Sequence, residues 1–209
     1  MVKDTRTRMI DATATLIQAR GYRGTSLSDV LAASGAPRGS LYFHFPGGKE
    51  DLVLEAVRAG VEIATEELRV ALDTAEHPAD GVRAFFRAAA REMVASDFRF
   101  GCPVAPVVLD EPELDTELDA LCRDAFAEWA EAYRNAMRKR GVDAQRARRT
   151  ARTVLAALEG ALLLARSERD TAPLDEIGEE MADLVARTCA DHDAATARPS
   201  DRSDGPAEA

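Results

Sequence analysis

Cysteine is scarce in this 209-residue chain: Cys102, Cys122 and Cys189 are odd in number, far apart and never paired as CxxC. That excludes a disulfide framework and a zinc ribbon, and leaves the thiols as small apolar side chains. Histidine is as rare, and His44, His77 and His192 have no histidine or cysteine at metal-ligand spacing. No metal and no other cofactor is therefore expected. No segment approaches about 18 uninterrupted apolar residues, and the start MVKDTRTRMI lacks the apolar stretch that follows the basic residues of a secretory signal. The expectation is a cytoplasmic protein with no membrane partner. GxSxG, a phosphate loop and a dinucleotide fingerprint are missing as well, which argues against an enzyme. Nor does any run alternate polar and apolar residues for long enough to suggest a sheet.

What the chain does have is helical periodicity and an uneven charge. It is 46% hydrophobic, enough to bury the core of one or two compact domains. The formal charge is -10, yet residues 1–49 hold seven Lys/Arg against three acids, a local +4 that leaves -14 for the rest. A basic head on an acidic body lets one end meet phosphates while the other is repelled by them.

The fold class read from this pattern is all-α. A first helix is expected over 3–20, with Gly21 as a left-handed C-cap and Met9, Ile10, Ala12, Ala14, Leu16 and Ile17 on its buried face. Thr25 or Ser26 can cap a second helix, SLSDVLAAS, which ends at Gly35, and Pro37 suits the first turn of a short third one. PGG at 46–48 breaks the pattern before a long fourth helix over 49–73, and a fifth follows over 79–96. GCPVAPVVLDEPEL holds three prolines among apolar residues, which fits a broken, partly buried segment. Helices over 112–139, 144–167 and 174–190 come next, and the polar tail from 193 has no core material. RARRTAR at 146–152 reads as a solvated helix face within an acidic body.

Two short helices around the SGAP turn satisfy helix-turn-helix geometry, whose second helix enters a major groove about 12 Å wide. Leu41 and Phe45, four apart, pack inward and leave Arg38, Gly39, Ser40, Tyr42 and His44 outside or at the edge. Arg38 can grip guanine or phosphate, Gly39 permits close backbone approach, and Tyr42 and His44 can donate to phosphates. Lys49 stands at the amide-rich start of the fourth helix.

The stretch TSLSDVLAASGAPRGSLYFHFPGGKEDLVLEAV resembles the N-terminal domain of the tetracycline-repressor (TetR) family. There a glycine turn leads into a short helix ending in Tyr, an aromatic, His and Phe, followed by a loop and Lys. The likeness spans about 7–57, and GCPVAPVVLDEPEL with the aromatic helix around Trp129 looks like the LmrA/YxaF-like branch. PGG before Lys49 departs from the family, where many members carry a charge. The resemblance implies that Thr25, Ser26, Arg38, Gly39, Ser40, Tyr42, His44 and Lys49 contact double-stranded operator DNA. It further implies a pocket for a small, largely apolar effector, with Phe85, Phe86, Met93, Val104, Val107, Leu121, Ala125, Phe126 and Trp129 as lining candidates.

One short reading helix selects too few base pairs, so a homodimer on a near-palindrome is expected. TVLAALEGALLLA is apolar round most of its circumference and demands cover on more than one side. Leu155, Leu158, Ala161, Leu162, Met181 and Leu184 are the expected dimer surface, and Leu158→Arg would then give monomers. The domain plan is 1–48 for DNA, 49–192 for effector and dimer, and a disordered 193–209. The function expected is a ligand-responsive transcriptional regulator, most readily a repressor. A DNA-binding activator or architectural protein with a solid body, and a helical enzyme, stay open as alternatives.

Overall fold

The computed structural model describes residues 4–110 and 116–196, with side chains over 4–110 and 117–190. Among the described residues there are helices and no strand, in the order α1 Thr5–Arg20, α2 Leu27–Ser34, α3 Arg38–His44, α4 Lys49–Thr74, α5 Pro78–Ala95, α6 Ala105–Asp110, α7 Thr116–Lys139, α8 Ala144–Glu168 and α9 Ala172–Thr196. The expected helix starts at 3 and 112 lie outside the described residues. So does the tail beyond 196, while the backbone of 193–196, expected to be disordered, continues α9.

Local chemistry explains the boundaries. The Asp4 carboxylate accepts from the Thr7 amide at 2.7 Å and caps α1, and the Gly21 N–H closes it on the Ile17 carbonyl at 2.8 Å. The Thr7 amide and hydroxyl hold the Asp4 carboxyl below its ordinary pKa. At α2 the cap is reciprocal: Ser26 accepts from the Asp29 amide while the Asp29 carboxylate accepts from the Ser26 amide. Gly35 then takes the left-handed conformation, φ 62° and ψ 23°, which a side chain would strain. Pro37 is the residue before α3 rather than inside it, and Pro78 opens α5 behind His77, whose Nδ1 accepts from the Ala79 amide.

Two cores result. The smaller joins α1, α2, α3 and the start of α4 through Met9, Leu16, Val30, Leu41, Phe45 and Leu52. The larger runs from α4 to α9, yet it also takes in Ile17 from α1. Helix α4 thus contributes to both cores, and the expected boundary at 48 falls where the two cores share a helix. In the larger core α9 lies close against α5: a Cβ on Gly178 would stand 2.8 Å from the Phe86 Cβ.

Part of the expected dimer surface is buried within the single chain. Leu158 and Ala161 are 6% and 0% exposed within a single chain and belong to its larger core. Leu155 and Leu162 are half-buried against the same core. The apolar residues that α8 does present are Leu163, 68% exposed, and Leu164, 45% exposed, beside exposed Ala156 and Gly160. On α9, Met181 and Leu184 are half-buried.

Candidate functional site

Helix α3 is held from beneath by Leu41 and Phe45, both buried in the smaller core. Their spacing aims the opposite face at solvent. Arg38 and Gly39 are exposed there, Tyr42 is 63% exposed, and His44 and Ser40 sit at the edge. Phe43, 81% exposed, was missed by the sequence reading. Helical geometry alone supplies the signal, since position 43 lies about 200° round from the inward Leu41. The Phe43 ring meets His44 edge-on with centroids 5.0 Å apart.

The remaining candidates are placed differently. Thr25 is 2% exposed and its hydroxyl donates to the Gly21 carbonyl at 2.9 Å. Its side chain is therefore a strut inside the α1–α2 loop, not a surface contact, which corrects the expectation. Ser26 is exposed, but its hydroxyl donates to the Asp29 carboxylate at 2.6 Å, and this bond lowers the pKa of Asp29. The Ser40 hydroxyl donates to the Pro37 carbonyl at 2.6 Å. Lys49 donates to the Tyr22 carbonyl at 2.9 Å and its ammonium lies 4.2 Å from the centre of the Tyr22 ring. It ties the α1–α2 loop to the start of α4.

Gly39 has an instructive environment. A Cβ there would meet nothing within 4 Å, and no positive φ is required of it. Glycine inside an exposed helix costs about 0.5–1 kcal/mol relative to alanine, so its presence is unexplained by the free chain and suits close approach by a partner. Gly39→Ala is expected to raise the melting temperature slightly and to weaken binding to DNA from the gene's own upstream region roughly tenfold, about 1.4 kcal/mol. Thermal melting and fluorescence anisotropy check the two halves.

In the body, a cavity of about 100 Å³ lies between α4, α5, α7 and α8, closed at one end by the strap 100–103. Of the residues proposed for an effector pocket, Phe85, Met93 and Trp129 line this cavity, and the Trp129 indole N–H is fixed by the Thr65 hydroxyl at 2.8 Å. Phe86, Val104, Val107, Leu121 and Ala125 do not line it; Phe86 faces α9 at Gly178, and Val104, Val107 and Ala125 are sealed in the core. Leu121 packs on that core as well. Phe126 stands edge-on to Trp129 and lines a neighbouring groove of about 730 Å³. Leu155, Leu158 and Leu162, expected at the dimer surface, are walls of the cavity.

Charged groups around the cavity are unbalanced. Glu67, Glu92 and Glu159 line it, and among the described residues no Lys, Arg or His does. Burial pushes the Glu159 carboxyl above its ordinary pKa, opposed by a hydrogen bond from the Cys102 thiol. The Cys102 thiol is itself pushed up by burial and by Glu159. Burial also lifts Cys122 to about 11, so the buried thiols are inert small hydrophobes, as their spacing suggests. Among the described residues no His/Cys/Asp/Glu group could hold a metal ion, and no helix is long and apolar enough to cross a membrane.

Comparison with known proteins identifies the class. Residues 9–56 match the family model for bacterial regulatory proteins of the tetR family, and residues 78–180 match the transcriptional regulator LmrA/YxaF-like C-terminal domain. The HTH-type transcriptional regulator LmrA of Bacillus subtilis is 33% identical over 184 residues, which is 88% of this chain and 98% of that protein. An HTH-type transcriptional regulator of Mycobacterium tuberculosis is 36% identical over 86% of this chain and 93% of its own length. A TetR regulator from Legionella pneumophila superposes with a TM-score of 0.79 at 22% identity, covering 88% of this chain and 98% of that one, and so shows the same fold. A TetR regulator from Chloroflexus aurantiacus reaches a TM-score of 0.75 at 29% identity, with coverage of 88% and 94%. With its helix-turn-helix head, helical body and LmrA/YxaF-like C-terminal domain, the chain belongs to the TetR family of DNA-binding transcriptional regulators and is not an enzyme.

Proposed function

We propose that this regulator is an effector-responsive repressor that binds a near-palindromic operator as a homodimer. The observation that carries the reading is α3, which offers Arg38, Gly39, Tyr42 and Phe43 to solvent from a head with net positive charge. Arg38 makes the charged contact with guanine or phosphate, and Phe43 is suited to a thymine methyl. Tyr42 and His44 add phosphate donors, and Lys49 joins them at the start of α4. Ser26 and Ser40, whose hydroxyls already serve helix starts, contribute at the rim.

Two copies of the head must stand about 34–36 Å apart to enter successive major grooves. The stripe Ala156, Gly160, Leu163 and Leu164 supports pairing through α8, with Met181 and Leu184 of α9 beside it. A Cβ on Gly160 would meet nothing within 4 Å, so a second helix can approach there without obstruction.

The cavity serves as the effector site, and the chain has a physical route from it to the head. Arg166 donates to the carbonyls of Gln18 and Ala19 at 2.9 and 3.0 Å, gripping the C-terminal end of α1. The Gly101 amide, on the strap that closes the cavity, donates to the Gln18 side chain at 3.1 Å. The Arg23 amide donates to Asp110 of α6 at 3.2 Å. A Cβ on Gly60 of α4 would stand 2.8 Å from Pro103 of the same strap. An occupant that swells the cavity therefore pushes the strap against α1 and α4 and changes the separation of the heads. A tenfold loss of operator affinity needs about 1.4 kcal/mol of preference for the displaced state.

The test is Arg38→Ala against DNA from the gene's upstream region. Affinity is expected to fall tenfold or more, about 1.4 kcal/mol or above, and the salt dependence to shallow by about one unit if the contact is to phosphate. Unchanged affinity removes α3 as the reading helix.

A further inference from the structure

We propose that the cavity takes an organic cation, a protonated amine on a compact aromatic or aliphatic body. The inference rests on the reading of the cavity as the effector site and names what fits it. Tyr133 is 2% exposed, lines the cavity, and its buried hydroxyl meets no hydrogen-bond partner. A buried hydroxyl without a partner costs about 1–3 kcal/mol, a cost that a ligand able to hydrogen-bond there removes. Glu159 lines the same cavity and acts electrostatically on the Tyr133 hydroxyl.

The second half of the argument is charge. Three carboxyl groups line the cavity and, among the described residues, no cationic side chain does. Glu67 and Glu92 lie at its exposed rim, where burial and the nearness of Glu92 raise the pKa of Glu67 against the opposing charge of Arg91, which does not line the cavity. Glu159 is the inner one, with only the Cys102 thiol as a hydrogen-bonding neighbour among the causes acting on its carboxyl. An ammonium group supplies what is missing: it donates to Glu159, donates to the Tyr133 oxygen, and lies among aromatic faces such as Trp129 and Phe100 that favour a cation. An anion meets carboxylates at the rim and again inside, and a neutral alcohol leaves the carboxyl without a counter-charge. The space, about 100 Å³, suits one ring with a short arm rather than a polycyclic body.

The experiment uses three probes of one shape: phenethylamine, 2-phenylethanol and phenylacetate. Each is titrated into the full-length protein with Trp129, the only tryptophan in the chain, as the fluorescent reporter. The amine is expected to bind at least tenfold more tightly than the alcohol, and the acid not to saturate. Glu159→Gln should weaken the amine tenfold or more while leaving the alcohol within twofold, which also certifies that the variant folds. Tyr133→Phe should weaken the amine by a smaller factor. Equal affinity for amine and alcohol, binding of the acid, or no binding of the amine overturns the proposal, whatever the variants do. A parallel anisotropy titration on operator DNA separates the two layers. If the amine binds through Glu159 but leaves DNA affinity unchanged, the cation site stands and the effector reading falls. If the alcohol or the acid binds as well and releases DNA, the effector reading stands and the cation class falls.

Discussion

Leu163→Arg is expected to give a folded monomer that has lost operator binding. Leu163 is the most exposed large apolar residue on α8, at 68%, in line with Ala156 and Gly160 on the same face. Among the described residues it belongs to neither core, so helicity should survive. In a symmetric pair the substituted arginines meet near the two-fold axis, where each is stripped of water and faces its like. The DNA consequence follows from effective concentration. A tethered second head binds an adjacent half-site as an intramolecular event, and loss of the tether costs about 10²–10⁴ in overall affinity. Sedimentation should report half the mass, circular dichroism an unchanged spectrum, and anisotropy a fall of at least about a hundredfold in affinity. An unchanged dimer mass removes α8 as the pairing surface.

The same helix marks the limit of what spacing could reveal. The stops at Gly21 and Gly35 were legible because they are local, and the start of α2 was narrowed to Thr25 or Ser26 for the same reason. Leu41 and Phe45 were legible because α3 has one buried side. Where a helix is covered on several sides, periodicity no longer says which neighbour covers which residue. Phe85 and Phe86 are adjacent and both apolar, yet one lines the cavity and the other packs at Gly178. Leu158 and Leu163 lie in one apolar run, yet one walls the cavity and the other faces solvent. Thr25 and Ser26 are equally able to cap, and the choice between them depends on the Gly21 carbonyl that Thr25 reaches across the loop. The carboxyls of Glu67, Glu92 and Glu159 come from three helices, so only the tertiary fold assembles them.

Ala161→Arg separates the sequence-based view of α8 from the structural one most sharply. If Ala161 faced the partner, arginine there would act as at Leu163 and yield a folded monomer. The structure instead buries it completely, 0% exposed, within the larger core. An arginine at this position must displace close-packed neighbours and desolvate its charge. Overpacking costs about 1–3 kcal/mol, and an unpaired buried charge adds about 3–5 kcal/mol. Against a total stability of about 5–15 kcal/mol, a sum of about 4–8 kcal/mol removes a large part of the margin. The pairing proposed above would complicate any melt, because it adds stability that depends on concentration. The substitution is therefore best placed in the Leu163→Arg background, where both proteins are monomers. There Leu163→Arg alone should melt cooperatively, and the double variant should melt at least about 8 °C lower, at about 2–4 °C per kcal/mol for a chain of this size, or show no transition at all. A double variant with the same melting temperature as the single would mean that Ala161 points outward and that α8 is rotated from the orientation on which the cavity and the pairing stripe both depend.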